Sequence, residues 1–353
     1  MHIETKKFIE EKMLAKNNKY ILAYKKGCLL LRNSADRQLI QMLKIHRYYK
    51  TIPIVERILR YEPRLAVSIT DDVFFYSDHG AIYKYDIREN NVSAIHYFRK
   101  GMNNPLAFCT RRNEQGDVTE ILYGEYVWNT EKGPVSIYRY NLEVWEKVYT
   151  FPANTVKHIH NIIYDRYKKR YIILTGDENS ESALWETKDF SDVKMLVGGT
   201  QNCRACVAYP TPDGIYFATD TPMEQNWLSF IDDYKQIKKI CKIPGPCIYG
   251  EIENNNLYMA TSVEGDPSLG KWRYRLSNKL GNGVTDRNVH ILMFTEQKKM
   301  IEVTRLKKDI LPMWLFQFGN AQFPSTNDGK VYFTTQSTKE KGTYILNFNM
   351  DRI

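Results

Sequence analysis

The 353-residue chain is predicted to be all-β, a single β-propeller built of four-stranded antiparallel blades. Three observations predict it: a strand-turn-strand unit recurring about every 42 to 50 residues, the near absence of helical periodicity after residue 60, and a supply of 25 Tyr and 15 Phe. Seven blades is the first expectation and six the second, in one structural domain with residues 1–60 contributing to ring closure and 61–353 forming the propeller.

Taken in order, Ile3 to Leu14 reads as a short helix, and Tyr20 to Leu31 as a hairpin turning at Lys26-Gly27. That hairpin is expected to supply one more blade or a strand that closes the last one, because closure removes exposed sheet edges. The recurring units begin near residues 73, 121, 171, 215, 257 and 331, as in Tyr171-Ile-Ile-Leu-Thr followed by Ala183-Leu-Trp-Glu-Thr. The fifth pairs Leu257-Tyr-Met-Ala-Thr with Lys271-Trp-Arg-Tyr-Arg-Leu, which leaves an insertion over 276–312. Before each unit lies another short apolar strand, such as Ile159 to Asp165 or Ala205 to Pro210, expected to be innermost in its blade.

Composition narrows the function classes. No stretch approaches the roughly 18 uninterrupted apolar residues of a membrane span, and the amino terminus, MHIETKKFIEEKM, has no apolar core of a signal peptide, so the chain reads as cytoplasmic. A net charge of +9 favours anionic partners. The densest basic runs, Lys168-Lys169-Arg170 and Lys238-Lys239, fall where turns and solvated strand faces are expected, which argues against nucleic acid. The six cysteines lack the spacing of a disulfide framework and read as reduced, mostly buried thiols.

The loops entering the innermost strands carry Arg99 to Asn104, Lys157 to His160, Thr200 to Arg204, Pro244 to Cys247 and Phe316 to Asn320, and should meet around the axis. Among them His158 and His160, two apart on a strand, point to one face and are candidates for acid/base work or for a divalent metal. The alternative is one buried and one solvated histidine. A metal needs a third ligand, for which Gln201, His79 and Cys203 are candidates. Cys203 and Cys206 have CxxC spacing, but the alternation points their thiols apart. Arg204 offers a bidentate site for an anionic group, or a structural ion pair. Arg204, Gln201, Asn104, His79, Asp220 and Asn320 form the expected polar substrate-binding set.

Acids recur just after the second strands, at Glu125, Asp177 and Asp220, where glycoside chemistry would use paired carboxylates and turn chemistry would use them as caps. Tyr126 lies beside Glu125, and His79 follows the equivalent strand of its own blade.

The segment Tyr171 to Phe190 resembles the blade pattern of the sialidase-like, Asp-box propeller superfamily, with Thr187-Lys188-Asp189-Phe190 at the box position. The likeness covers about one blade and implies fold; the box's Gly and Trp are missing here, as is the family's amino-terminal arginine motif. Propeller polysaccharide lyases are similar in residue types, and a propeller lyase that binds a divalent cation through His and Gln is a precedent for the metal. The expectation is therefore a carbohydrate-active propeller, lyase or hydrolase, acting on an acidic oligosaccharide or polysaccharide. A non-catalytic scaffold for protein partners is the alternative, and a rim rich in Trp and Tyr would mark it.

Overall fold

Residues 2–349 are described by the computed structural model, and they form seven four-stranded antiparallel sheets. In chain order the first six blades span Lys12–Lys44, Ala66–Tyr97, Cys109–Phe151, Ile159–Gly198, Ala205–Ile243 and Cys247–Lys307. The seventh joins Asn320–Asn349 to the amino-terminal strand His2–Ile9, which pairs antiparallel with Thr343–Asn349 and closes the ring. One expectation is corrected here. Ile3 to Leu14 is two strands and not a helix: Ile3 packs into the cluster between blades 6 and 7, and Phe8, Ile9 and Met13 into that between blades 7 and 1. Of the two alternatives for the Tyr20–Leu31 hairpin the first holds, since it is the middle of blade 1 and not the closing strand.

The apolar residues explain the ring. Seven buried clusters occur, one between each pair of neighbouring blades. In the second strand of blade 4, Tyr171 and Ile173 pack towards blade 3, while Ile172 and Leu174 pack towards blade 5. Period-two alternation sends neighbours to opposite faces, and both faces are buried, so the strand reads as an unbroken apolar run. Outer strands behave differently. Ile237–Ile243 exposes Lys238 and Lys239 on a sheet edge, where lysine discourages pairing with another chain.

Insertions modify this frame on the face that carries the blade-to-blade connections. In blade 6 the partner of Asn256–Thr261 is Asn288–Phe294, and Lys271–Leu276 is a short helix, α2, so the insertion lies within the blade at 262–287 rather than at 276–312. The connection from blade 1 to blade 2 carries a second helix, α1 (Pro53–Leu59), which reaches the blade 6–7 connection. There Arg57 pairs with Asp309 at 2.7 Å and Gln317 donates to the Arg57 carbonyl at 3.1 Å. Buried side chains fasten the near end of this strap: His46 contacts Asp78 at 2.6 Å and the Tyr24 hydroxyl at 3.2 Å, and Tyr24 also bonds Glu56.

Removing residues 2–9 should unpair Thr343–Asn349 and uncover the apolar surface on which Ile3, Phe8 and Ile9 pack. The expected loss is about 5 kcal/mol, at roughly 2 kcal/mol per buried side chain. Thermal unfolding should move down by about 10 °C or more. An unchanged melting temperature would mean that the ring holds without its closing strand.

Candidate functional site in the axial channel

Where the innermost strands begin, blades 4, 5 and 6 share one irregularity. Register skips between Ile159 and Asn161, between Ala205 and Val207, and between Cys247 and Tyr249, so His160, Cys206 and Ile248 are each the extra residue of a β-bulge. A bulge re-aims a side chain. All three residues line one axial cavity of about 130 Å³, together with Arg60, Arg64, Tyr126, Asp177, Arg204, Asp220, Tyr249, Glu264 and Asn320.

Asp177 is the hub. It follows Gly176 after the second strand of blade 4, and a Cβ at Gly176 would stand 3.3 Å from both the Arg204 side chain and the His160 ring, so the close approach requires glycine. The Asp177 carboxylate lies 3.5 Å from Nε2 of His158, 3.5 Å from Nε2 of His160, 3.1 Å from Arg204 and 3.6 Å from Lys157. Burial alone would raise its pKa, but the two histidines and Arg204 outweigh that and hold it well below the usual carboxylate range.

The tautomers follow from the far sides of the rings. Nδ1 of His160 faces the Ala205 carbonyl at 2.9 Å, and Nδ1 of His158 faces the Val127 carbonyl at 3.4 Å. A carbonyl only accepts, so Nδ1 is the donor side of each ring, and a divalent cation at the convergence would be met by one Nε2 lone pair from each; without a cation, an Nε2 proton must bridge to the other ring or to Asp177. The two Nε2 atoms stand 3.0 Å apart. Burial keeps His158 neutral by lowering its pKa, against the pull of Asp177. Two imidazole lone pairs and a carboxylate thus converge on one point, with each imidazole oriented by a backbone carbonyl, the arrangement found around metal-binding histidines. The donor chemistry fits a divalent cation, with Asp177 as the third group.

Gln201, the sequence candidate for that position, instead donates to the Asp177 carbonyl at 2.8 Å. His79 lies away from the channel, packed on Tyr61 beneath the strap, and Cys203 sits 3.8 Å from the Thr200 hydroxyl. Cys203 lies in a 3-10 turn rather than in the strand, so alternation does not relate the two thiols, and Cys206, the bulge residue, donates its thiol to Asp220 at 3.3 Å.

Other expected residues divide similarly. Tyr126 enters the cavity with its ring centre 4.5 Å from that of His158. Glu125 is buried behind it, accepting from the Ser136 amide at 2.8 Å and pairing with Arg99 at 3.0 Å, which takes the Arg99–Asn104 loop out of the channel lining. Asn104 is buried, with its carbonyl accepting from Arg64. Asn320 lines the cavity, and its side-chain oxygen is buried without a partner. Arg204 is engaged by Asp177 and by Asp220 at 3.6 Å, so it is a brace between two acids.

The free cations are two that the sequence reading passed over. Arg60 and Arg64 line the mouth, and among the described residues neither has a carboxylate within ion-pair distance; the Arg64 guanidinium lies 5.8 Å from the Tyr126 ring centre. Glu264 was also missed. It is buried, accepts from the Ser262 hydroxyl at 2.5 Å, and is pushed up to about 7 by burial and by nearby Asp220. The available signals were positional but loose: Arg64 lies two residues before an innermost strand where Arg204 directly precedes one, and Glu264 lies three residues after Thr261 where Asp220 directly follows Thr219.

The ring and its polar axis define the chain as a seven-bladed β-propeller with a channel site. No protein-family model matches the sequence, and no curated protein matches it. Solved structures do. An oligogalacturonate lyase from Vibrio parahaemolyticus is 11% identical with a TM-score of 0.57, over 99% of this chain and 98% of that one. An oligogalacturonate lyase in complex with manganese is 10% identical with a TM-score of 0.56, over 98% and 89%. The WD40 propeller domain of Doa1 is 7% identical with a TM-score of 0.56, over 98% and 96%. At these identities the likeness establishes the fold. It extends to propellers in general and does not single out the sialidases.

Stability should respond to pH with two opposing slopes. His158 and Asp177 are depressed from 6.5 and 3.8, so the unfolded chain binds more protons below those values and stability falls on acidification. Glu264 is raised from 4.5 to about 7, so the folded chain holds a proton that the unfolded chain releases, and stability falls as pH rises through that window. In calorimetry Glu264→Gln should remove the second slope, worth about 3 kcal/mol between pH 4 and pH 8. Asp177→Asn should flatten the acid limb below pH 4. Unchanged slopes would contradict these assignments.

Proposed function

We propose that this propeller is a cation-assisted lyase acting on an acidic oligosaccharide or polysaccharide, with oligogalacturonate the first substrate to try. The observation that carries the reading is the convergence, in one axial cavity, of two histidine lone pairs and a carboxylate beside two unpaired guanidinium groups and a carboxyl held near neutrality. His158, His160 and Asp177 would hold the cation, whose chemistry is to draw charge from a uronate carboxylate and so acidify the adjoining C–H. Arg60 and Arg64 orient that carboxylate at the mouth. Glu264 takes the proton at its carboxylate oxygen, and Tyr126, whose phenol burial keeps protonated, returns one to the leaving oxygen as the C–O bond breaks. This moves the acid/base role from the histidines to Glu264 and the anion-binding role from Arg204 to Arg60 and Arg64.

A second reading, the non-catalytic scaffold, is supported by the WD40 likeness and by exposed aromatic residues on the rim, Trp128 and Trp272 among them. The buried polar centre favours the lyase, since a rim-binding scaffold gains nothing from unpartnered buried groups such as Asp220 Oδ1 and Asn320 Oδ1.

The test is incubation with oligogalacturonate and other acidic glycans, with and without chelator, followed by the ultraviolet absorbance of unsaturated uronate and by reducing-end release. Activity should vanish with chelator, rise with pH through about 7 as Glu264 ionises, and fall by about 100-fold or more in Glu264→Gln. Reducing ends without unsaturated product would indicate a hydrolase. Silence across the panel from folded protein would favour the scaffold.

A further inference from the structure

We infer that the strap-side face of the ring docks flat on an anionic lipid bilayer. This surface is distinct from the channel chemistry and rests on three stations spaced around the rim. On the blade 1–2 connection, α1 turns Ile54 and Ile58 outward one helical turn apart, next to exposed Tyr48 and Tyr49. In the blade 6 insertion, α2 turns Trp272 (73% exposed) and Leu276 outward at the same spacing, and neighbouring Ile310 is 80% exposed. On the far side of the ring, in the loop after the second strand of blade 3, Trp128 is 71% exposed, with Lys157 held 5.1 Å from its ring centre. Spacing of i, i+4 puts each helical pair on one face.

Charge selects the partner. Arg47 and Lys50 flank the first station, and Arg273 and Arg287 the second, while the acids of the same segments are engaged internally. Glu56 is buried on Tyr24, Asp309 pairs with Arg57, Asp266 with Lys279, and Asp286 with His290. Around these two stations the face is therefore cationic between protruding aromatic and aliphatic side chains, the composition of a surface that lies in the headgroup region of an anionic leaflet. A protein interface core is depleted in lysine and closes around one patch. Three stations on opposite sides of a ring contact together only something broad and planar.

The experiment is co-sedimentation of the full chain with vesicles of phosphatidylcholine alone or with about 30% phosphatidylserine, together with tryptophan quenching by brominated lipid. Binding is expected on the serine-containing vesicles, with quenching of Trp128 and Trp272, and a loss of at least about tenfold in 0.5 M salt. Trp272→Ala with Leu276→Ser, and separately Ile54→Ser with Ile58→Ser, should each weaken binding about tenfold or more without changing the circular dichroism. Leu142→Ser, exposed on the opposite face, should leave binding intact. No binding, equal binding to neutral vesicles, or indifference to both rim pairs would overturn the inference. Self-association through the rim in the absence of lipid would overturn it in favour of a protein-docking surface.

Discussion

Apolar packing between neighbouring blades is the constraint from which the other features follow. Each of the seven sheets buries side chains on both faces, so no blade is stable without two neighbours, and the ring closes only when His2–Ile9 completes the seventh sheet. Closure brings the seven innermost strands around an axis too wide to fill with apolar side chains. The axis is left to polar groups, and the bulges in blades 4, 5 and 6 deliver His160, Cys206 and Ile248 into it.

Charges placed in that axis must be paired or desolvated at a cost, and the site reflects this. Asp177 collects two imidazoles, Lys157 and Arg204, and Arg204 spans to Asp220. The groups left without such partners are those with chemistry to offer. Arg60 and Arg64 stand at the mouth, and Glu264 stays near neutrality because burial and Asp220 oppose its ionisation. Glu264 thus weakens the fold as pH rises while acquiring a proton affinity useful for catalysis, a stability cost of the kind common at functional sites.

The strap and the blade 6 insertion have a different origin. They are additions to the repeat: polar contacts such as Arg57 with Asp309 and His46 with Asp78 hold the strap, while Val263 and Val284 root the insertion in the cluster between blades 6 and 7. Freed from packing between sheets, their helices turn apolar side chains outward, which gives the face around the channel mouth a character unlike the lysine-studded outer strands.

The sequence by itself determined the propeller, with seven blades ahead of six, because burial on both faces writes an unbroken apolar run at every second strand and the runs repeat at blade spacing. It also brought forward His158, His160 and Arg204 from the loops expected to meet at the axis, Asp177 and Asp220 from the acids that recur after the second strands and Tyr126 from beside one of those acids, along with Glu125, His79 and Asn104, which do not line the cavity. Tertiary structure alone decided their partners. That Asp177 and not Gln201 joins the histidines, that Arg204 is consumed by two acids while Arg60 and Arg64 stay free, and that Glu264 enters the channel depend on contacts between residues tens of positions apart. The amino-terminal strand was hidden for a similar reason. Its alternation is short and lysine-rich, and only pairing with Thr343–Asn349, across nearly the whole chain, makes it a strand.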